Sequence, residues 1–176
     1  TQLQESAFWD RIPAEQRAQV IEQTAGRMKY AWIQGLAGGL VWLLIVSAVL
    51  MFVFRFFYPA EVRFKQALAI SAWTFFAVGL VTTPLLLLVM GLKGDWNLNP
   101  QDVLQANLGL LLDRSTAAKP LWALLTSLDL FSFWQVFLLA AGFGVASRKP
   151  TGAALWGVAI PFALIVLVKV GFSFVF

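Results

Sequence analysis

An acidic residue, Asp129, stands at the start of an apolar stretch, where a charge needs a physical reason. The stretch runs from Ser127 to Gly144, reads S-L-D-L-F-S-F-W-Q-V-F-L-L-A-A-G-F-G, and contains no other charged residue. A carboxylate beside a membrane-spanning segment is costly unless it is paired or serves a function. We therefore expect Asp129 to cap a helix and to pair with a cation. A binding or proton-linked role is the alternative hypothesis.

A small polar cluster is predicted around Asp129. Lys119 and Arg114 can supply the countercharge, Asp113 can join the same cluster, and Gln135 lies about two helical turns further on, where it could line a cavity. The chain has no His and no Cys, and it carries none of the common nucleophile, nucleotide-binding or zinc-binding fingerprints. We predict no catalytic, cofactor-binding or metal-binding residues and no enzymatic activity.

The composition indicates which elements must hold these residues. Of the 176 residues 60% are hydrophobic and only 12% are charged, with a mean hydropathy of +0.77. Soluble domains carry about twice that share of charge. The sequence therefore predicts an all-α, polytopic membrane helix bundle. Its net charge of +4 suits an anionic membrane surface better than nucleic acid.

Charge-free runs locate the predicted helices. Four runs are long enough to cross a bilayer, which takes about 20 residues, and they lie at about 30–54, 66–92, 130–147 and 151–168. Two shorter segments, at about 102–112 and 120–128, contain charge-free runs of ten and nine residues and flank the break from Asp113 to Lys119. The first has an apolar stripe made of Leu104, Leu108, Leu111 and Leu112. We predict that both are interfacial or re-entrant half-helices.

Residues 1–29 are the clearly soluble part of the sequence and form the predicted amino-terminal domain, with 30–176 as the membrane domain. Pro13 and the helix formers that follow it predict a helix lying on the bilayer surface. Docking of a soluble partner is the alternative. The sequence begins with Thr1 and not with Met, so we expect further residues to precede it.

Glycine and proline positions indicate how the spans pack. Gly35 and Gly39 form a G-x-x-x-G pattern, which lets two helices approach closely, either inside the protein or between two copies. Pro84 and Pro161 lie within spans and predict kinks. The Pro84 kink can be structural, or it can serve as a hinge or line a cavity. Thr82 and Thr83 can hydrogen-bond to carbonyls that Pro84 leaves free.

Four spans place both termini on one side of the membrane. Basic residues of the amino-terminal region and of the connections number seven on that side and five on the other, and the positive-inside rule then predicts that the termini are cytoplasmic. The terminal side has Arg11, Arg17, Arg27, Lys29, Lys93, Arg114 and Lys119, and the opposite side has Arg55, Arg63, Lys65, Arg148 and Lys149.

Several segments together resemble the Yip domain family of Ypt/Rab-interacting integral membrane proteins. They read F-K-Q-A-L-A-I-S-A-W at 64–73, N-L-G-L-L-L at 107–112 and P-L-W-A-L-L-T-S-L-D-L-F-S-F-W at 120–134, and the resemblance covers roughly residues 30–175. It implies a Golgi or endoplasmic-reticulum protein in eukaryotes, linked to Rab GTPases, vesicle traffic and membrane shaping. The family is usually described with five spans. The short amino-terminal region is more similar to compact prokaryotic relatives, which implies a bacterial inner-membrane protein.

Three classes of function remain open at this stage. The first is a membrane organiser or adaptor that binds partner proteins. The second is a small transporter or lipid-handling protein, for which broken and kinked helices are a known device. The third is an accessory subunit of a larger membrane complex. In each case the expected partners are the lipid bilayer and other membrane proteins or a second copy of the chain.

Overall fold

The computed structural model describes residues 30–94, 104, 106–111 and 118–173. The chain divides into two compact units, Thr1–Trp42 and Leu43–Phe176. The predicted surface helix within 1–29 lies outside the described residues.

Within the described ranges the secondary structure is helical and contains no β-strand. Four of the helices are long and apolar enough to cross a membrane, which confirms the all-α fold with four candidate spans. In chain order the elements are α1 (Ala31–Phe56), α2 (Phe64–Lys93), a 3₁₀ turn (Leu108–Leu111), α3 (Lys119–Ser127), α4 (Leu130–Ser147) and α5 (Thr151–Phe172).

Local signals explain several helix ends. The backbone N–H of Arg63 donates to Oε1 of Gln66 (2.9 Å) where α2 begins, and Gly94 ends α2 with a φ of 65°, a conformation that glycine adopts at little cost. Arg148 ends α4 in the same left-handed region. The N–H of Lys149 then donates to the Gly144 carbonyl (2.9 Å), so α4 and α5 are joined by a tight turn.

The core of the second unit centres on Phe54 at the end of α1. Its ring is fully buried and stacks on Tyr58 and on Phe143 of α4, with ring centroids 5.0 and 4.7 Å apart. Offset-stacked aromatic pairs add to the stabilisation that burial alone gives. Gly157 of α5 completes the packing, because a Cβ built there would lie 2.9 Å from both the Phe54 and Tyr58 rings.

Helix α2 packs on α4 through a face with helical spacing. Its buried positions include Ala67, Ser71, Thr74 and Val78, which are three or four residues apart and so share one side of the helix. Ile70 approaches Gly142 so closely that a Cβ there would lie 2.5 Å from Ile70 Cγ2. Small residues therefore set the helix spacing here, as expected where lipid supplies no hydrophobic drive between helices.

Both predicted prolines lie inside helices that continue past them. Pro84 is within α2 and Pro161 is within α5, so each removes one N–H donor from the helix. The Thr82 hydroxyl donates to the Val78 carbonyl (3.0 Å), and not to the Leu80 carbonyl that Pro84 leaves without its usual donor. The kinks at these prolines stay predictions.

The predicted α-helix over 102–112 is wrong in its described part. Leu104 and Ala106 are not helical, and only Leu108–Leu111 form a short 3₁₀ turn. Backbone pairing with the link between α3 and α4 takes up donors and acceptors that a helix would use. Asp102, Val103, Gln105 and Leu112 lie outside the described residues. The second half-helix is present as α3, one residue earlier than predicted, with Pro120 in its first turn.

The predicted end of the last span, at 168, was also too early. Helix α5 continues to Phe172 and includes Lys169 in its last turn. Lys169 follows the predicted limit directly, and a charge commonly marks the edge of a span. In the structure its ammonium group makes a hydrogen bond to Ser127 Oγ, so the charge is accommodated within the helix. The predicted limits of α4, 130–147, agree with the structure.

In the first unit, Gly35 and Gly39 lie in α1 and are exposed. Their role in helix packing stays a prediction.

Replacing Gly157 tests the central packing. We expect Gly157→Ala to lower the stability in detergent by about 1–3 kcal/mol, the usual cost of overpacking a filled core, because the Phe54 and Tyr58 rings cannot move aside freely. Thermal unfolding of the purified chain measures the effect. Gly152→Ala is the matched control in the same helix, since a Cβ there meets no heavy atom of the described residues within 4 Å. Equal effects of the two substitutions would contradict this packing.

Replacing Gly39 tests the G-x-x-x-G prediction in the first unit. We expect Gly39→Ile to block close helix approach and so to lower either thermal stability or oligomeric mass in gentle detergent. Val41→Ile is the control, because Val41 is an exposed position on another face of α1. No change in melting temperature or in native mass would show that Gly39 faces lipid.

Candidate functional site

Asp129 is the N-cap residue of α4. Its backbone is extended, with φ −116° and ψ 156°, and its Oδ1 accepts a hydrogen bond from the N–H of Ser132 (2.9 Å). Its Oδ2 accepts from the Ser132 hydroxyl. The carboxylate thus satisfies a helix-end amide and also lies at the positive end of the helix dipole. The structure thus places Asp129 in the predicted role of a cap, while Ser127 is the last residue of α3.

The chain before α3 returns to this cap and pairs with it through the backbone. The N–H of Leu130 donates to the Ala106 carbonyl (3.1 Å), and the N–H of Leu108 donates to the Leu128 carbonyl (3.4 Å). Asn107 and Asp129 therefore face each other as an isolated antiparallel bridge. This pairing holds the connecting segment against the start of α4.

A local turn fixes the same segment against α3. The Asn107 Oδ1 accepts the N–H of Gly109 (3.0 Å), a side-chain turn that asparagine forms readily. A Cβ on Gly109 would lie 2.8 Å from Asn107 Oδ1 and 2.8 Å from Thr126 Cγ2. Glycine is thus required by the close contact with α3.

A lysine from the end of the chain reaches the same place. The Lys169 ammonium donates to Ser127 Oγ (2.9 Å), while the Ser127 hydroxyl donates to the Ala123 carbonyl (2.7 Å). The Ser127 hydroxyl therefore donates one hydrogen bond to a carbonyl and accepts another from an ammonium group, and in this way it holds the lysine in position. It is not activated as a nucleophile, which would need a base at the hydroxyl proton.

We call this set the Asp129 cluster: Asn107, Ser127, Asp129, Ser132 and Lys169. It draws residues from the 106–109 segment, α3, α4 and α5, and it presents a carboxylate, an ammonium group, an amide and hydroxyls at one end of the second unit. Charged and amide groups arranged in this way suit recognition of a polar or charged partner.

Three members of the predicted polar cluster, Asp129, Lys119 and Gln135, lie among the described residues. Asp129 is half-buried at the cap, and Lys119 is exposed at the first position of α3. Gln135 is half-buried within α4. Asp113 and Arg114 lie outside the described residues. Pairing of Asp129 with Arg114 or Lys119 stays a prediction.

Sequence reasoning did not include Lys169 or Asn107 in the site. A lysine near a helix end commonly extends to the headgroups, and nothing in the neighbours of Lys169 points to Ser127, 42 residues away. Asn107 gave a usable signal, because Asn followed two residues later by Gly is typical of a turn. The leucine spacing outweighed that signal and favoured a helix.

Four apolar helices in the part of the chain that the structure describes are long enough to span a bilayer, and they define an integral membrane protein of the multi-pass helical class. The model of the Yip1 domain matches residues 6–172, nearly the whole chain, and the chain therefore belongs to the Yip1 domain family. Neither the curated proteins nor the solved structures contain a match.

Substitutions at Asp129 separate its cap from its charge. Asp129→Ala removes both hydrogen bonds from Ser132 and should lower the stability by about 1 kcal/mol, the typical value of a lost cap. Asp129→Asn keeps an acceptor and should stay close to wild type in a thermal or denaturant unfolding series in detergent.

Ser132→Ala is the control, because it removes the hydroxyl bond but leaves the N–H to Oδ1 bond in place. If Asn proves as damaging as Ala, the charge itself is needed, for an ion pair or for binding. Two silent substitutions at position 129 would show that this cap contributes nothing to the fold.

Proposed function

We propose that this chain is a non-enzymatic membrane adaptor, which organises partner proteins at the bilayer by presenting the Asp129 cluster to them. The observation that carries the proposal is a division of the second unit into a filled apolar centre and a polar end. Membership of the Yip1 domain family supports the membrane location. The contacts described above support the choice of surface.

The filled centre favours an adaptor over a transporter. Phe54, Ala140, Phe143 and Ala154 have no exposed surface, and Val158 has 2%. A transporter needs a polar or water-lined route at mid-membrane depth, usually between broken helices. Here stacked rings and small side chains occupy the space between the end of α1, α4 and α5.

The polar end has the mixed character of a protein-binding surface. Beside the Asp129 cluster it exposes three leucines, Leu108, Leu121 and Leu130, with 46, 44 and 67% of their surface accessible. Protein interfaces commonly combine apolar anchors with a surrounding polar rim. The backbone pairing of residues 106–108 with 128–130 holds two of these leucines in a fixed arrangement, which lowers the entropic cost of binding.

The proposed membrane and orientation rest on the family of the chain and on the distribution of its basic residues. The compact chain acts in a bacterial inner membrane with its termini on the cytoplasmic side, as the seven-to-five division of basic residues supports. The Asp129 cluster then faces the cytoplasm. Its partners are other membrane proteins, or a second copy of this chain, whose surfaces reach the headgroup layer.

Site-specific photo-crosslinking in intact membranes tests the proposal. A photoreactive amino acid at Leu108 or Leu121 should give adducts of the same discrete protein mass. Asp129→Ala should lower the yield of adduct at both positions, because the cap positions the segment that bears Leu108. The same probe at Ile160, exposed on α5, is the lipid-facing control, and Lys149 is the control at the opposite end.

Protein adducts confined to Leu108 and Leu121 would support the adaptor function. Lipid adducts alone at these positions, or the same protein adducts at Ile160 and Lys149, would contradict it.

A further inference from the structure

The end of the second unit opposite the Asp129 cluster has an open cavity in the connection between α1 and α2. Its volume is about 400 Å³, and it is lined by Arg55, Pro59, Ala60, Glu61, Val62 and Arg63. Arg55 lies in the last turn of α1, and Arg63 immediately precedes α2. Two arginines and one glutamate are therefore among the residues that line one cavity.

The cavity is preformed, because its wall is anchored to the core. The Tyr58 hydroxyl donates to the Ala153 carbonyl of α5 (2.8 Å), and the Ala60 N–H donates to the Phe54 carbonyl (3.1 Å). Ala60 and Val62 are buried, at 8 and 1% exposure. A ligand that enters this cavity need not order the connection first, which favours binding.

The charge at this end selects an anion. The connection and the turn between α4 and α5 together carry five cations, Arg55, Arg63, Lys65, Arg148 and Lys149, against one acid, Glu61. The first turn of α2 contains no acidic residue, so the positive end of the α2 dipole is not offset by a side chain of that turn. Guanidinium groups bind phosphate oxygens in a bidentate manner that an ammonium group cannot match.

The position of the cavity favours a phosphate that belongs to a lipid. Helices α1 and α2 are both candidate spans, and the cavity lies where one ends and the other begins, at headgroup depth. Phe56 and Phe57, beside the cavity, are 69 and 68% exposed, as are aromatic side chains at membrane interfaces. Acyl chains attached to a phosphate in the cavity would lie along the exposed apolar faces of the two helices.

We propose that this cavity binds the headgroup of an anionic phospholipid, with Arg55 and Arg63 on the phosphate. Two arginines and one glutamate give the cavity walls a net charge of +1, which one phosphodiester neutralises. Glu61 can accept hydrogen bonds from headgroup hydroxyls, which a glycerol headgroup supplies and a choline headgroup does not. The site is independent of the Asp129 cluster and of the proposed adaptor function.

Lipid titration of the full purified chain in a neutral detergent tests this site. The probes are phosphatidylglycerol, phosphatidylcholine and inorganic phosphate, and native mass spectrometry measures the bound fraction. We expect phosphatidylglycerol to bind most tightly. The double variant Arg55→Gln/Arg63→Gln should lose about 30-fold in affinity, because each basic side chain near a membrane surface contributes roughly a factor of five.

The matched control is Arg148→Gln/Lys149→Gln, which removes the same charge from the same end but does not alter the cavity lining. Its affinity for phosphatidylglycerol should fall by less than about fivefold, which is the contribution of one such charge. Arg55→Lys/Arg63→Lys keeps the charge and should still bind measurably more weakly than wild type, since lysine cannot make the bidentate contact. This variant provides the test if the glutamine pair fails to fold.

Equal losses from the cavity pair and the control pair would overturn the proposal, since they would show attraction by the surface charge as a whole. Equal affinity for inorganic phosphate and phosphatidylglycerol would overturn the lipid as the occupant. Tighter binding of phosphatidylcholine than of phosphatidylglycerol would overturn the preference for an anionic headgroup. The proposal is supported if the Arg55/Arg63 variant loses more affinity for phosphatidylglycerol than the Arg148/Lys149 variant does.

Discussion

The contact that the second unit depends on is the stack of Phe54 between Tyr58 and Phe143, covered by Gly157. In a bilayer, helices gain little from burying apolar surface against one another, because lipid tails are as apolar as the side chains. Association must then come from close packing and from a few hydrogen bonds. Phe54 supplies the packing, and the bond from Tyr58 to Ala153 adds a tie to α5. The absence of a side chain at Gly157 is what allows both.

This centre separates two ends of different chemistry. One end has the Asp129 cluster, where hydrogen bonds join segments far apart in sequence and where a carboxylate and an ammonium group are both held in place. The other has a cavity with two arginines, fixed to the core by the same Tyr58 that takes part in the stack. The core between the two ends is filled, and a hydrogen bond described above holds a group in place at each end.

The spans and their order could be predicted from the sequence because lipid imposes one simple rule, a long run without charge. The rule worked best for α4, since Asp129 and Arg148 mark both of its ends. It failed at Lys169, whose charge looked like the end of a span but is accommodated by a hydrogen bond to Ser127. The sequence also could not distinguish a helix from paired backbone at 106–109. The spacing of the leucines is the same whether the segment forms a helix or pairs with a distant part of the chain.

The candidate sites were predictable only in part, for the same reason. A cap is local, so Asp129 could be recognised from the residues that follow it. The contacts of Lys169 with Ser127 and of Tyr58 with Ala153 depend on how the helices meet. No short stretch of sequence carries that information. The glycines at 142 and 157 were visible as residues, but their partners, Ile70 and Phe54, were not.

The unequal lengths of neighbouring helices have a consequence for the surrounding membrane. Helix α4 has 18 residues and α2 has 30, which correspond to about 27 and 45 Å at 1.5 Å per residue. Since the two pack together, no single hydrocarbon thickness near 30 Å can match both if they stand upright. The longer helix must tilt, or the bilayer must thin and thicken on different sides of the protein, at a cost of fractions of a kcal/mol per Å. If α2 stands upright, the two helices impose different thicknesses on the lipids beside them, and the protein is favoured in a membrane that deforms easily.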